Sequence, residues 1–505
     1  MTPRQLFAVT VTACLIIPIG ITGCNTPVDE QLPYPNIIYI LADDLGYREL
    51  GAYGQTKIQT PRIDELAANG IAFSQHYSGS PVCAPSRGTF LTGKHTGNAY
   101  IRDNKEMGGW GPDEPEGQLP LPPGEFTIAE MLEPLGYVSG FVGKWGLGGP
   151  ESTGHPNAQG FQHFYGYLCQ RVAHNYYPTH LWHNDKVDSL EGNTYFSAHQ
   201  RLTEPLATDA AYAEAYEGGT YAPDKMIDSA LEFIRENQNG PFFLTFATPV
   251  PHLALQVPGE SVAEYKDQFD DQPYLGQNGY LPHPYPNAAY AAMITRMDGD
   301  IGKLIDLIDE LELTQNTIIM FSSDNGTTYT GGVDASFFNS VGDLRGLKGS
   351  VFEGGIRVPM IVSWPGTIEA GRWTDHISAN WDIMPTIAGI VGIESPENID
   401  GISFLPTLKG QVDSQPQHES LYWEYHAFKG MQAVRMGDWK AVRQRIRTQV
   451  DSPVELYNLI DDPSEMHDVA ADHPDIVAAT RAIMDARTWS DVEGWNFVPE
   501  VTGSK

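Results

Sequence analysis

The sequence predicts an α/β fold with a large, mainly parallel sheet flanked by helices, followed by a smaller C-terminal α+β subdomain containing an antiparallel sheet. Up to about residue 365, strand-like apolar runs alternate with helix-like segments, a pattern typical of a parallel sheet. Beyond residue 412, short alternating runs flank the Gly437-Asp438 turn, and one helix-like segment follows. The chain has 505 residues, of which 41% are hydrophobic, so it is long enough to bury such a core. We therefore predict a main domain at 36–412 and a subdomain at 413–505.

Residues 1–23 are predicted to be a signal peptide. Arg4 is the only charged residue of this segment, and small residues occur at its end. Pro18 and Gly20 interrupt the apolar stretch, which is also too short to favour a membrane-spanning helix.

The tetrapeptide Ile-Thr-Gly-Cys that ends at Cys24 is similar to the lipobox of bacterial lipoproteins, where cleavage leaves a lipid-bearing cysteine at the new N-terminus. Ordinary signal cleavage without a lipid is the alternative. Residues 24–35 are polar and proline-rich, as a tether would be. The sequence thus predicts an exported protein in the periplasm or at the outer membrane or cell surface, attached to a membrane only through a lipid on Cys24.

Three helices are predicted within the main domain. One follows Thr60, the expected N-cap, with Pro61 at its first position. A second begins after Thr127, because Thr127 and Glu130 have the spacing of a capping box. A long helical pattern covers residues 288–311.

Polar side chains follow four of the strand-like runs. These residues are Asp43 and Asp44, Lys144, His252, and Asp324 and Asn325. Because ligands bind beyond the carboxyl ends of parallel strands, we expect these side chains to lie at one edge of the sheet. The carboxylate and amide oxygens suit Ca²⁺ or Mg²⁺, whereas no Cys/His spacing indicates zinc. The alternative is that the Asp and Asn residues only form turns or helix caps.

Cys83 and Cys169 are the only cysteines beyond Cys24. Two cysteines in a large exported domain do not form a disulfide framework. We interpret Cys169 as a packing residue. Cys83 precedes a helix that Pro85 is predicted to begin, and the free N–H groups of a helix N-terminus favour negative charge. A buried free cysteine is the structural alternative for Cys83.

The composition is strongly acidic, with 31 basic and 64 acidic side chains and a formal net charge of −33. Binding to nucleic acid is driven by clusters of Lys and Arg, so this balance argues against a nucleic-acid partner. An anionic substrate would need local cations to overcome the background field.

The motifs around these residues carry a family resemblance. CAPSRGTFLTG at 83–93 matches the signature C-x-P-S-R-x-x-x-L-T-G in full, and GYVSGFVGKWG at 136–146 matches most of a second signature. ADDLGY before these two segments, and SSDNG, LRGLKGSVFEGGIRVPMIVSWPG and ELYNLIDDPSE after them, are similar to other segments of the same family and occur in its order. The chain thus resembles the formylglycine-dependent sulfatases of the alkaline phosphatase superfamily, and within them the bacterial polysaccharide sulfatase lipoproteins. The resemblance covers nearly the whole mature chain and implies a sulfate-ester hydrolase whose catalytic domain is 36–412.

The resemblance also implies a modified cysteine and a metal ion. Cys83 would be oxidised to formylglycine by a formylglycine-generating or sulfatase-maturating enzyme. A hydrated aldehyde has two hydroxyls on one carbon. One hydroxyl attacks sulfur, and the other then loses its proton, which reforms the aldehyde and expels sulfate. The implied metal ligands are Asp43, Asp44, Cys83, Asp324 and Asn325, and the implied metal is Ca²⁺ in preference to Mg²⁺.

The other catalytic roles are also implied by the resemblance. Arg87 would steady the hydrated aldehyde, Lys144 and Lys348 would bind sulfate oxygens, and His252 would protonate the departing alcohol. One position departs from the family pattern, because Gly146 stands where many members have a histidine that assists the aldehyde or the release step. His155 and His174 are the nearest candidates in sequence to replace it.

The segment between Lys144 and His252 contains a run rich in His, Tyr, Trp and Asn, in which His174, Asn175 and Tyr176 are candidate substrate-binding residues. Aromatic faces and amides suit sugar rings and hydroxyls, and core packing is the alternative. An exported hydrolase meets polymers first, so the predicted substrate is a sulfated polysaccharide or its oligosaccharides. Two other functions stay open: a phosphate or phosphonate monoester hydrolase of the same fold, and a glycan-binding lipoprotein with an unconverted cysteine.

Overall fold

A computed structural model of the chain describes residues 34–109, 111, 114–449 and 451–497. The predicted signal peptide at 1–23, Cys24 and residues 24–33 of the predicted tether lie outside these residues. Within the described ranges, no helix combines the length and the apolar character that crossing a membrane requires.

The described residues form the following strands and helices. The strands are β1 (Asn36–Ala42), β2 (Ile71–Tyr77), β3 (Val138–Lys144), β4 (His163–Tyr167), β5 (His180–His183), β6 (Lys186–Ser189), β7 (Phe242–Ala247), β8 (Thr317–Ser323), β9 (Arg357–Ser363), β10 (Arg372–Thr374), β11 (Ser378–Ala379), β12 (Leu421–Tyr425), β13 (Met431–Met436), β14 (Trp439–Gln444) and β15 (Val454–Asn458). The α-helices are α1 (Pro61–Ala68), α2 (Cys83–Thr92), α3 (Ile128–Leu132), α4 (Asp209–Tyr216), α5 (Ala222–Asn237), α6 (Gly259–Val262), α7 (Pro286–Glu310), α8 (Ala335–Phe338), α9 (Glu353–Ile356), α10 (Ile383–Ile390), α11 (Leu405–Leu408) and α12 (Pro474–Asp485). Short 3₁₀ segments cover Gly51–Tyr53, Glu133–Leu135, Pro156–Gln159, Val172–His174, Thr314–Asn316, Asn380–Asp382 and Val412–Ser414.

Two sheets organise these elements. The larger sheet has the strand order β10-β2-β9-β8-β1-β7-β3-β4-β5-β6, with β11 paired to β2. Its centre, β8-β1-β7-β3-β4, is entirely parallel, whereas β9, β5 and β6 pair antiparallel with their neighbours. The smaller sheet, β12-β13-β14-β15, is antiparallel throughout. The predicted α/β fold with a C-terminal antiparallel sheet is confirmed.

Central strand β1 is buried on both faces, and its side chains alternate between two apolar clusters. Ile38 and Ile40 pack in one cluster with residues of α5 and α7. Ile37 and Tyr39 pack in the other with residues of α2, α3 and α10. Helices therefore cover both faces of the sheet, as parallel strands require.

The predicted helices form, but two details of their starts are wrong. The capping box of Thr127 and Glu130 is present at α3. Thr60 precedes α1 without capping it, because its hydroxyl instead accepts the Gly51 N–H and contacts the Asp64 carboxylate. Helix α2 begins at Cys83 itself, so Pro85 is its third residue rather than its first.

The C-terminal sheet is joined to the rest of the protein through buried Glu424 on β12. Its carboxylate lies 3.1 Å from Arg102 Nη1, 2.7 Å from Arg487 Nη2 and 2.9 Å from His426 Nε2. Although burial favours the neutral acid, hydrogen bonds from His426 and Arg487 lower the pKa of Glu424 to about 2. The exact domain boundary near residue 412 stays a prediction.

Candidate active site

Four adjacent parallel strands, in the order β8-β1-β7-β3, end at the candidate active site. Asp43 and Asp44 directly follow β1, Asp324 and Asn325 directly follow β8, and Lys144 is the last residue of β3. All five are buried. The alternation of strands and helices thus brings charged groups that are far apart in sequence to one edge of the sheet.

Cys83 lies at the centre of these groups, at the first position of α2. Its Sγ is 3.3 Å from Asp43 Oδ1, 3.6 Å from Lys144 Nζ and 3.5 Å from Lys348 Nζ. Burial, followed by the charge of Asp43, raises the pKa of the Cys83 thiol well above its usual value. An unmodified Cys83 is therefore an uncharged thiol and a weak nucleophile.

The oxygen atoms beside Cys83 fit a hard divalent cation. Asn325 Nδ2 donates to Asp44 Oδ1 at 2.7 Å, and the Asp44 N–H donates to Asp324 Oδ1 at 3.1 Å. Asn325 Oδ1 is buried and has no hydrogen-bond partner among the described residues. Asp44 also has a φ of 67°, a left-handed conformation that is uncommon for a non-glycine residue and concentrates at functional sites. A cation would satisfy the orphaned oxygen that the protein leaves unpaired.

The spacing and charge of the cluster support the same fit. Ligand atoms of Asp43, Asp44, Cys83 and His252 all lie within 4.8 Å of one another. Burial, and after it the negative charges of the crowded carboxylates Asp43 and Asp44, raises the pKa of Asp324 above its usual value. A divalent cation would relieve this crowding, and a set of carboxylate and amide oxygens favours Ca²⁺ or Mg²⁺ over softer metals.

Three cations face the three carboxylates. The pairs are Arg87 Nη2 with Asp324 Oδ2 at 2.8 Å, Lys144 Nζ with Asp43 Oδ2 at 2.5 Å, and Lys348 Nζ with Asp44 Oδ1 at 2.8 Å. Arg87 is fully buried, its Nε donates to the same Asp324 oxygen at 3.0 Å, and its Nη1 donates to the Lys144 carbonyl. Because these charges cancel, a divalent cation and an anionic ligand can enter together without leaving a large unbalanced charge.

His252 lies in the loop after β7, five residues beyond the strand end at Ala247 rather than at the end itself. Its Nδ1 is 2.7 Å from the Leu253 carbonyl, so Nδ1 carries the proton that is donated there. Its Nε2 lies 3.7 Å from Asp44 Oδ2 and faces the cluster. Burial, together with the charges of Lys348 and Lys144, lowers the pKa of His252 to about 4, so the ring is neutral at pH 7.

The three predicted substrate-binding residues have different environments. His174 stacks on His252 with 4.9 Å between ring centroids, and Asn175 lines a cavity beside it. Tyr176 is a correction: its side chain is fully buried, and its hydroxyl lies 2.6 Å from the carbonyl oxygens of Pro249 and His252. Tyr176 therefore supports the His252 loop and does not line an open cleft.

Two further aromatic residues at the site were not predicted. His199 Nε2 lies 3.1 Å from His174 Nδ1. The Tyr280 ring is 5.1 Å from the His174 ring and 5.9 Å from the His252 ring, measured between centroids. Both residues come from long connections without a motif, so only their position in the fold identifies them.

The side chain of Gln170 fills the space beside Gly146. Gly146 has a φ of 80°, and a Cβ there would lie 2.4 Å from Gln170 Nε2. Gln170 Nε2 is buried and has no hydrogen-bond partner among the described residues. His155, by contrast, is held in its own loop, with Nδ1 accepting the Asn157 N–H and Nε2 3.2 Å from the Asn184 carbonyl. The Gln170 amide, and not the His155 ring, occupies the space at Gly146.

Family models match most of the chain. The model for Sulfatase covers residues 35–393. The model for N-sulphoglucosamine sulphohydrolase, C-terminal, covers residues 347–486.

Individual relatives give the same result. Arylsulfatase A of Bos taurus is 32% identical over 425 residues, which cover 81% of this chain and 74% of the relative. N-acetylgalactosamine-6-sulfatase of Canis lupus familiaris is 30% identical over 415 residues, which cover 81% and 71%. The crystal structure of Ps i-CgsB in complex with k-i-k-neocarrahexaose is 28% identical, with a TM-score of 0.71 over 93% of this chain and 96% of that one.

Proposed function

Because the chain belongs to the sulfatase family and is a sulfuric ester hydrolase, we propose that it removes sulfate from sulfated polysaccharides or oligosaccharides, using a formylglycine formed from Cys83 and a bound Ca²⁺. The observation that carries this proposal is the position of Cys83 Sγ, 3.3 Å from a carboxylate oxygen of Asp43 and 3.6 and 3.5 Å from the ammonium groups of Lys144 and Lys348. The carbohydrate substrate is supported by Ps i-CgsB, which binds k-i-k-neocarrahexaose.

Asp43, Asp44, Asp324 and Asn325 would hold the ion, with the unpaired Oδ1 of Asn325 as one ligand. When present, the ion supplies Lewis acidity at a sulfate oxygen, and the hydrated aldehyde at position 83 supplies the hydroxyl that attacks sulfur. The oxygen donors and their burial support this set, and the assignment of each ligand is part of the proposal.

The surrounding side chains would stabilise the charge of the sulfate. Lys144 and Lys348 both reach the atom at position 83, so their ammonium groups are placed to bind the oxygens of a sulfate ester attacked from that position. Arg87 holds Asp324 through two nitrogens and fixes the carboxylate beside the nucleophile.

His252 would protonate the departing alcohol. Its Nδ1–H is committed to the Leu253 carbonyl, so Nε2 is the atom that exchanges a proton at the cluster. This role requires the protonated ring. Burial is the main cause of the lowered pKa of His252, and an anionic sulfate between the two lysines would offset the second cause, the charges of Lys348 and Lys144.

We further propose export and maturation before function. A formylglycine-generating or sulfatase-maturating enzyme would convert Cys83, and a lipid on Cys24 would attach the mature chain to the membrane. Labelled palmitate should enter the wild type in its native host and not the Cys24→Ala variant. Labelling of both proteins, or of neither, would reject the lipid anchor.

The decisive test compares two esters of one alcohol. Matured protein is assayed with 4-nitrophenyl sulfate and 4-nitrophenyl phosphate, and we expect kcat/KM to favour the sulfate ester by about 100-fold or more. Cys83→Ala should abolish turnover, whereas Cys169→Ala should retain it, since Cys169 is the second of the two buried cysteines among the described residues. A preference for the phosphate ester would identify the phosphoryl hydrolase alternative. Glycan binding without any turnover would identify the binding protein.

A further inference from the structure

A large cavity opens beside the catalytic cluster, and we call it the Trp182 cavity. Its volume is about 720 Å³, within the range of pockets that hold ligands larger than a single small group. Its lining includes Glu116, Arg171, Asn175, His180, Trp182 and His199. None of the catalytic or metal-binding roles proposed above uses this space.

A chain of three histidine rings connects the cavity to the catalytic cluster. His199 lines the cavity, and its Nε2 lies 3.1 Å from His174 Nδ1. The His174 ring stacks on His252 at 4.9 Å, and His252 Nε2 lies 3.7 Å from Asp44 Oδ2. The rings of His174 and His252 thus lie between the cavity and the cluster, so a substrate that reaches both must pass along these rings.

One wall of the cavity is held in a fixed arrangement. Trp182 on β5 donates its indole N–H to Glu116 Oε1 at 2.6 Å, and His180 Nε2 lies 3.1 Å from the same oxygen. The Glu116 side chain is only 11% exposed, so this carboxylate is shielded while it positions both rings. Such a wall offers an aromatic surface and a hydrogen-bond acceptor that need little reorganisation when a ligand binds.

The polar groups of the cavity suit hydroxyls better than anions. Asn175 Oδ1 accepts the Tyr177 N–H at 2.9 Å, which leaves the amide NH₂ group as the donor for a ligand. Among the described residues that line the cavity, Glu114, Glu116 and Glu151 carry carboxylates and Arg171 carries a permanent positive charge. This balance opposes a second sulfate or a uronic acid deep in the cavity.

We propose that the Trp182 cavity is the subsite for an uncharged sugar residue linked to the sulfated one, so that the enzyme acts on chains of at least two sugars. This inference rests on the proposed sulfatase function and specifies its substrate class. The uncharged ring would lie against Trp182 and hydrogen-bond Glu116 and Asn175, while the sulfate ester of its neighbour lies at the cluster. Binding energy from this sugar would then strengthen substrate binding and lower KM, because it is present in both the bound substrate and the transition state.

The test uses 4-nitrophenyl sulfate together with sulfated mono- and disaccharides prepared from carrageenan, chondroitin sulfate and heparan sulfate. For matured wild type we expect the best disaccharide with an uncharged second sugar to exceed its sulfated monosaccharide in kcat/KM by about tenfold or more. Trp182→Ala should lower kcat/KM for that disaccharide about tenfold more than for 4-nitrophenyl sulfate, mainly through KM. Trp182→Phe, which keeps a ring but loses the bond to Glu116, should give a smaller loss of the same kind.

A matched control separates the subsite from general damage. Trp373 on β10 is 54% exposed and lies at the opposite end of the strand order from β5, so Trp373→Ala should leave all of these activities unchanged. The inference is overturned if Trp182→Ala affects all substrates equally, if no disaccharide exceeds its monosaccharide, or if a doubly anionic disaccharide is preferred. A matured wild type that hydrolyses none of the sulfate esters would instead refute the proposed function, and the subsite with it.

Discussion

Replacing Arg87 by Met tests whether the buried charges of the active site act as one balanced unit. Arg87 is fully buried, contacts Asp324 through Nε at 3.0 Å and Nη2 at 2.8 Å, and lies 3.5 Å from Asp43. Methionine fills much of the same space without a charge. The substitution therefore leaves two buried carboxylates without this cation.

The expected cost follows from that loss. Removing one partner of a buried ion pair typically costs about 3–5 kcal/mol in the free energy of unfolding, because the remaining charge stays desolvated. Arg87→Lys keeps the charge but loses the planar two-nitrogen contact, so its cost should be smaller. Added Ca²⁺ should recover part of the loss in Arg87→Met, because the ion supplies positive charge to the same carboxylates.

Urea unfolding followed by tryptophan fluorescence, with EGTA or with Ca²⁺, measures these differences. Arg62→Met is the control, because Arg62 forms a surface ion pair with Asp306 and is 32% exposed, so its removal should cost no more than about 1 kcal/mol. If Arg87→Met is as mild as Arg62→Met in EGTA, the buried charges are not coupled in the way that the structure indicates.

Three other perturbations test the bound ion, the packing at Gly146 and the buried carboxylate of Glu424. In differential scanning fluorimetry, EGTA should lower the melting temperature of the wild type, and Ca²⁺ at about 100 times its Kd should add about 2.7 kcal/mol to the free energy of unfolding. The same Ca²⁺ concentration should stabilise Asn325→Ala less, and equal stabilisation would exclude Asn325 as a ligand. Gly146→Ala should cost more in urea unfolding than Gly136→Ala, because both positions have a left-handed φ but only the former meets a neighbour, Gln170 Nε2 at 2.4 Å. Gln170→Ala should reduce the excess, and equal costs for the two glycines would argue against the contact. Glu424→Gln should lower the free energy of unfolding by about 3 kcal/mol at pH 7, because folding lowers the pKa of Glu424 from 4.5 to about 2. This contribution to stability is present above pH 4.5 and is lost as the pH falls towards 2. The difference from wild type should therefore shrink when unfolding is measured at pH 3, and a constant difference would contradict this linkage.

The parts of the fold that the sequence could predict are those with a local physical cause. Three of the strand ends could be predicted because apolar runs stop at polar residues, at Asp43, Lys144 and Asp324, whereas His252 lies five residues beyond the end of β7. The capping box could be predicted because its two hydrogen bonds join Thr127 to Glu130, only three residues further along the chain. The insertion of β9 between β2 and β8, antiparallel to both, depends on long-range pairing and leaves no comparable local pattern.

The same distinction applies to the active site. Cys83, Arg87 and Lys348 stand in motifs that the resemblance identifies, whereas His199 and Tyr280 reach the site from connections whose path is set by tertiary packing. The prediction that Tyr176 binds substrate is wrong because the run of polar and aromatic residues does not show which side chains line a cavity and which are buried. Asn175 and Tyr176 are neighbours in sequence, but Asn175 lines the cavity whereas the Tyr176 hydroxyl contacts buried carbonyl oxygens.

The central claim, that residue 83 acts as a formylglycine and not as a thiol, is tested most directly by mass spectrometry of the peptide containing it. The sample is protein from the native host that turns over 4-nitrophenyl sulfate, treated first with iodoacetamide and separately with a hydrazide. We predict that residue 83 has the mass of the aldehyde, resists alkylation and reacts with the hydrazide. Fully active protein in which residue 83 is an alkylated cysteine would contradict the claim.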